Sequence, residues 1–358
     1  MMTVFGISIS YYTGKLEAYL RYKAIPYKMD HPYADQPRIR KLAGAIQVPL
    51  VELDDGRWLS DSTPIIAYLE SIHPEKPVMP QNPALRFIAL LIEDYADEWL
   101  WRSAMHYRWS YDHDSALQSR VLADELTTHI PAPRFMRRWM IKRRQITRFV
   151  KNDGVTRDTW DHVEAGFFNA MRAMSAMLAT RPFLLGSSPS IADIGMMGPM
   201  LRHFATDPTP AAIMRNDWPH IAEWVARTWN AAATVHETAL LDAVPDDAAA
   251  MLREIAETYM VQQRENALAF ADGKKRFAMT VQGCAYKNMP VSRYRVYCLE
   301  RLREEFAGLS DDHQQQIRTL LSQPEYALLW DGDVPATSGH DVDRATPFAR
   351  GINVYDFG

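Results

Sequence analysis

The stretch 47–70, QVPLVELDDGRWLSDSTPIIAYLE, constrains the fold of this chain more than any other. Strand-type residues Leu50-Val51-Glu52-Leu53 follow a Val48-Pro49 pair. Asp55-Gly56 is a tight-turn dipeptide that joins antiparallel strands, so Trp58-Leu59 returns along a second strand. Asp61-Ser62 then opens an amphipathic helix with Ile65, Ile66 and Leu69 on one face. A helix start offers unpaired N–H groups and a partial positive charge, and so suits an anion. Taken alone, an Asp-Ser pair more commonly just caps its helix.

The first thirty residues extend the pattern. Residues 3–9 form a short apolar run of strand type, and 13–23 have helical spacing through Leu16, Ala18, Tyr19 and Leu20. Ala24-Ile25-Pro26-Tyr27 punctuates the chain before a second strand. Strand, helix, strand, helix, hairpin and final helix, with Val-Pro before the hairpin and a polar pair capping the last helix, resembles the glutathione-binding half of glutathione transferases. The resemblance covers residues 1–80 closely and continues loosely to about residue 240.

That resemblance implies a thioredoxin-like domain and a set of roles. Pro49 would be cis, leaving the Val48 backbone free to pair with a bound peptide. Ser62 would hold the γ-glutamyl carboxylate through its hydroxyl and N–H, Asp61 would accept from the γ-glutamyl ammonium, and Gln47 would lie near the glycyl carboxylate.

The chemistry is expected in the loop 8–13, just before the first helix. A thiol with a pKa near ~8.5 is mostly protonated at neutral pH, so a transferase has to stabilise the thiolate. A hydroxyl donor backed by a helix N-terminus can do so. Ser10 falls where serine-type and cysteine-type relatives keep their catalytic residue and ranks first. Tyr12, where one bacterial class keeps a cysteine, ranks second. Tyr11 stands where relatives have proline and ranks third. These hydroxyls could instead serve as helix caps or surface groups. The two cysteines, Cys284 and Cys298, are remote from this loop in sequence. Thiolate stabilisation by a hydroxyl is therefore expected, in conjugation, addition or ether or halide displacement, and disulfide chemistry is not.

Residues 82–230 read as all-helical. Ser190-Ile191-Ala192-Asp193 has the form of a capping box and is also a structural signature of the family's helical domain. The electrophile pocket is expected between the first-helix loop and the long helices, where Trp101, His106 and Trp109 lie in an aromatic-rich stretch. Aromatic residues at helical spacing are more often core, and a histidine on such a face is more often structural than a base. No His, Asp or Glu pair there has metal-ligand spacing, so no metal is expected. The basic run 134–144, RFMRRWMIKRR, interleaves aromatic and cationic residues. It could face an anionic surface or nucleic acid, but a solvated helix face is the more common use of such a run.

Beyond the expected family end, helical periodicity covers 246–270 and 292–306, with a strand or extended segment at 277–286. A helix capped by Leu309-Ser310 follows, and an irregular tail begins at Asp331. The expected fold class is thus α+β: a thioredoxin-like domain over 1–76, an all-helical domain over 82–240 and a mainly helical C-terminal extension over 246–358.

A chain of 358 residues, 47% hydrophobic and 23% charged, fits a soluble globular protein. The net charge of −4 gives no general reason to expect nucleic acid. No secretory leader or membrane span is visible, and two cysteines suit a reducing cytoplasm. The expected function is a glutathione transferase that joins glutathione, as co-substrate, to a hydrophobic small molecule and works as a homodimer. The alternative is a non-catalytic relative that binds small molecules or a protein partner.

Overall fold

The computed structural model describes residues 1–33, 37–39 and 47–340. Its sheet has the order β2-β1-β3-β4, with β1 (Met2–Phe5), β2 (Tyr27–Asp30), β3 (Leu50–Glu52) and β4 (Trp58–Ser60). β1 pairs parallel with β2, as their separation by helix α1 (Tyr11–Tyr22) requires, and antiparallel with β3. The expected hairpin is present: Val51 faces Leu59, and Gly56 turns the chain at φ 81°, a left-handed conformation that glycine tolerates. Helix α2 (Ser62–Ile72) follows. The helix expected between β2 and β3 falls on residues of which only 37–39, helical, are described; the rest of it lies outside the described residues.

A helical layer packs on this sheet. Helix α3 (Pro83–Tyr95), started by the Asn82 side chain accepting from the Leu85 N–H, runs through a π-turn (Ala96–Leu100) into α4 (Trp101–Ser110). Then come α5 (Asp112–Leu126), α6 (Arg134–Gln145) with a second π-turn (Ile146–Val150), and α7 (Trp160–Leu178). Helix α8 (Ile191–Pro199) leads through a third π-turn (Met200–Phe204) to α9 (Pro208–Asp217), α10 (Pro219–Trp229) and the short α11 (Ala231–Thr234). The 190–193 capping box is formed, and buried Asp193 also accepts from Trp224 Nε1 at 3.0 Å, which ties α8 to α10. Its role is structural. Gly198 of α8 lies against the Tyr11 ring, so any side chain there would drive α1 and α8 apart.

The C-terminal extension shares one continuous apolar core with the preceding helices. Helix α12 (Ala249–Glu254), a fourth π-turn (Ile255–Met260) and α13 (Val261–Ala271) bury Met251, Ile255 and Tyr259. Where the sequence suggested one extended segment there is a hairpin, β5 (Arg276–Val281) and β6 (Cys284–Pro290). Its turn residues Gln282 and Gly283 both have positive φ, and Phe277, Met279 and Val281 point inward at period two. Helix α14 (Arg293–Ala307) buries Leu299, Leu302 and Phe306, the last edge-on to Phe87 of α3. Ser310 caps α15 (Asp311–Leu320), as its position predicts. Residues 331–340 have no regular structure; the remaining tail, 341–358, lies outside the described residues.

Candidate functional site

A cavity of about 310 Å³ opens where the starts of α1 and α2, the strand edge before β3, α4 and the extension converge. Its sheet side is built from small polar groups and backbone: Ser10, Gln47, Val48, Pro49, Asp61 and Ser62. The Val48–Pro49 peptide is cis. Ser62 is the first residue of α2, nearly fully buried, at a helix start whose N–H groups lack helical partners. Gln47 Nε2 is a buried donor with no partner among the described residues, and an unpaired buried donor is costly until something accepts from it.

Ser10 is the N-cap of α1. Its oxygen accepts from the Thr13 N–H at 3.3 Å, which leaves the hydroxyl proton free to donate. The neighbouring phenols are committed elsewhere. Tyr11 is buried and donates to the Ala96 carbonyl at 2.5 Å; Tyr12 donates to the Asp97 carbonyl at 3.0 Å and stacks on Trp101. Burial, with Asp97 and Glu98 nearby, holds the Tyr11 phenol well above its ordinary pKa, so it stays protonated. Both acceptors belong to the first π-turn, where the regular backbone pairing shifts.

The helical layer fixes the Ser10 loop. Arg108 of α4 donates to the Ile9 carbonyl at 2.9 Å and is held by Asp207 at 2.9 Å, while Glu125 of α5 accepts from the Ser8 N–H and hydroxyl, each at 2.9 Å. Beneath the loop, fully buried Lys15 is held by Glu93, by Asp97 at 2.5 Å and by Thr63 at 2.9 Å. Burial opposes its charge, yet the two carboxylates overcome that and hold its pKa above the ordinary value. Lys15 thereby links α1 to α2 and α3.

Of the aromatic stretch, Trp101 and Trp109 line the cavity with Ile9, Met105, Leu122 and Phe149. His106 does not. It bonds Glu164 at 2.8 Å and Ser110 at 3.0 Å outside the cavity lining, where burial lowers its pKa and favours the neutral ring. The helical layer's own histidine on the cavity is His203, at the third π-turn, edge-on to Tyr11 and held neutral by burial and by the Arg108 charge. Neither cysteine lines the cavity. Among the described residues no cluster of metal-ligating side chains is present.

The extension supplies a wall that the sequence alone did not place there: Pro290, Ser292, Tyr294, Arg295, Tyr297 and His340. The Tyr294 hydroxyl donates to Asp61 Oδ2 at 2.7 Å. Burial pushes the Asp61 carboxyl up to about 6, against the opposing effects of the Tyr294 donor and the Lys15 charge. Arg295 pairs with Glu98 at 3.2 Å and with Asp153 at 3.1 Å; Asp153 also holds Arg102 at 3.2 Å. One signal for this wall was present, the acids Glu93, Asp97 and Glu98 along an otherwise apolar helical run, which call for buried cations. Nothing in the sequence said that one such cation would come from residue 295.

Comparison with known proteins agrees with this architecture. Residues 4–77 match the glutathione S-transferase N-terminal domain and residues 157–227 the glutathione S-transferase C-terminal domain. Among solved structures the chain is similar to a glutathione S-transferase from Rhodospirillum rubrum F11 (18% identity, TM-score 0.44, covering 70% of this chain and 100% of that one). It is also similar to the β-etherase LigF from Sphingobium sp. strain SYK-6 (18%, 0.44, 63% and 93%) and to a glutathione S-transferase from Sinorhizobium meliloti 1021 (15%, 0.44, 70% and 99%). No curated protein matches in sequence. Both glutathione S-transferase domains are thus matched, in their order, on an α+β fold.

Proposed function

We propose that this protein is a glutathione-dependent transferase that joins the glutathione sulfur to a hydrophobic electrophile, by addition or by displacement of an ether or halide group. The observation that carries the proposal is the convergence on one cavity of Ser10, Val48, Ser62 and the Gln47 Nε2 donor, which has no partner among the described residues. The α2 start and Ser62 suit the γ-glutamyl carboxylate, the Val48 backbone suits a peptide strand, and Gln47 Nε2 suits the glycyl carboxylate. Asp61 accepts the γ-glutamyl ammonium through acceptor sites that the Tyr294 hydroxyl and the Thr63 backbone N–H leave available. Ser10 donates its hydroxyl proton to the thiolate sulfur; Tyr12 and Tyr11 rank behind it because both phenols already serve carbonyl acceptors. The electrophile lies against Trp101 and Trp109, and the sulfur–carbon bond forms as the leaving group departs or the acceptor double bond takes a proton. We also propose the division at 1–76, 82–240 and 246–358, a homodimer and a cytoplasmic setting.

One observation favours a second proposal, a non-catalytic binder: the extension already donates to Asp61. Ser10→Ala separates the two. Loss of turnover with glutathione affinity retained, and a bound-thiol ultraviolet titration moved back towards about 8.5, supports the transferase. A wild-type protein that binds glutathione without lowering its thiol pKa supports the binder.

A further inference from the structure

Seven large apolar side chains are exposed among the described residues, and four of them fall within six residues of α6: Phe135 (72% exposed), Met136 (45%), Trp139 (59%) and Met140 (43%). At 100° per residue these four occupy one arc of the helix, together with Arg143. Arg143 lies over the Trp139 ring at 5.3 Å. The opposite side, Ile141 and Gln145, is buried against the protein. The usual amphipathic arrangement is thus inverted, with a ridge of two aromatic rings and two methionines pointing at solvent.

Cations flank that ridge. Residues 134–148 hold Arg134, Arg137, Arg138, Lys142, Arg143, Arg144 and Arg148 and no acid, in a chain whose net charge is −4. Arg138 and Lys142 reach Asp124 and Asp112 on α5 at 3.7 and 3.6 Å, contacts at the long end of ion pairing. Arg134, Arg144 and Arg148 make no ion pair among the described residues. This helix is therefore the concentrated positive pole of a negative molecule.

We propose that α6 docks this protein onto an anionic phospholipid bilayer, lying in the interface with Phe135, Met136, Trp139 and Met140 among the upper acyl chains and the flanking arginines at the headgroups. An apolar ridge bordered by arginines matches a surface that is apolar beneath and anionic above, and each cation near it strengthens binding roughly fivefold. A second copy of this chain fits less well, because symmetric pairing of the ridge would set two Arg143 residues and two basic flanks against each other. Nucleic acid would meet a centre of methionine and phenylalanine where its phosphates need cations. No helix among the described residues is long and apolar enough to cross a membrane, so the association is peripheral.

Co-sedimentation of the full chain with phosphatidylcholine vesicles, with and without phosphatidylglycerol, tests this. The expected result is binding only to the anionic vesicles, weakened by salt, reduced at least tenfold in Phe135→Ser/Trp139→Ser and also reduced in Arg143→Glu/Arg144→Glu. All four positions are solvent-facing, and unchanged melting curves establish that the variants fold. Absence of binding to anionic vesicles overturns the proposal, as does binding that survives the Phe135→Ser/Trp139→Ser change. A wild-type dimer in light scattering that becomes monomeric in that variant, or salt-sensitive binding to a DNA fragment but not to vesicles, overturns it in favour of the other occupants.

Discussion

The two walls of the cavity are made differently. The sheet side uses short side chains and backbone: Ser10 and Ser62 at helix starts, Val48 before a cis proline, and the Gln47 amide. The extension side uses long side chains, Tyr294 and Arg295, reaching from α14 to carboxylates of other elements, Asp61, Glu98 and Asp153. A wall of helix starts and strand edge keeps its shape through local backbone geometry. A wall of long side chains holds only as long as its charge partners do, so the two sides should fail in different ways.

The largest expected effect comes from removing the cation under the sheet side. Lys15→Ala leaves Glu93 and Asp97 buried without their cation, and loss of one partner of a buried pair costs about 3–5 kcal/mol. Arg295→Ala is expected to cost less, about 2–3 kcal/mol, because Arg102 still serves Asp153 and only Glu98 loses its cation. Denaturant unfolding of the two variants side by side checks the order; equal losses would mean that the extension is as deeply built in as α1.

The asymmetry between the walls follows from what a sequence displays. The hairpin over 50–60, the helix starts at Ser10 and Ser62 and the capping box at Ser190 are local, each signalled by residues within a few positions of one another. Asp55-Gly56 marked its turn, whereas Gln282-Gly283 went unmarked because glutamine is a rare partner for such a turn. The contact between Tyr294 and Asp61 spans 233 residues, and no periodicity encodes that distance. Helical spacing placed Leu299, Leu302 and Phe306 on a buried stripe but could not say which surface received it. The aromatic stretch misdirected in one respect: His106 and Trp109 are three residues apart, yet only Trp109 lines the cavity.

A pH series sharpens the comparison at the junction of the walls. Asp61 titrates at about 6, and only its carboxylate attracts an ammonium, so glutathione affinity should fall as pH drops through 6, by up to about tenfold per unit below it. Folding moves the other way. A carboxyl raised in the folded state contributes stability that is complete below its ordinary 3.8 and is lost as pH rises through about 6. The difference in melting temperature between wild type and Asp61→Asn, followed from pH 4 to 7, isolates that contribution; a constant difference would show that Asp61 does not titrate there.

The smallest expected effect is Tyr294→Phe, which removes one hydrogen bond to the Asp61 carboxylate, worth about 1.5 kcal/mol at the low end for a charged acceptor, and raises the Asp61 pKa further. Glutathione affinity at pH 7 should change less than tenfold. A larger gain would mean that the phenol competes with the ligand for Asp61, and a larger loss that it positions the carboxylate for it.

The α2 start is the proposed anchor of glutathione, and calorimetric titration of glutathione into wild type and Ser62→Ala tests that most directly. Loss of a hydrogen bond to a charged group costs about 1.5–3 kcal/mol, so the variant should bind about tenfold or more weakly, with an unchanged melting curve. Equal affinity in the two proteins, or no detectable binding to wild type, would contradict the assignment of this cavity.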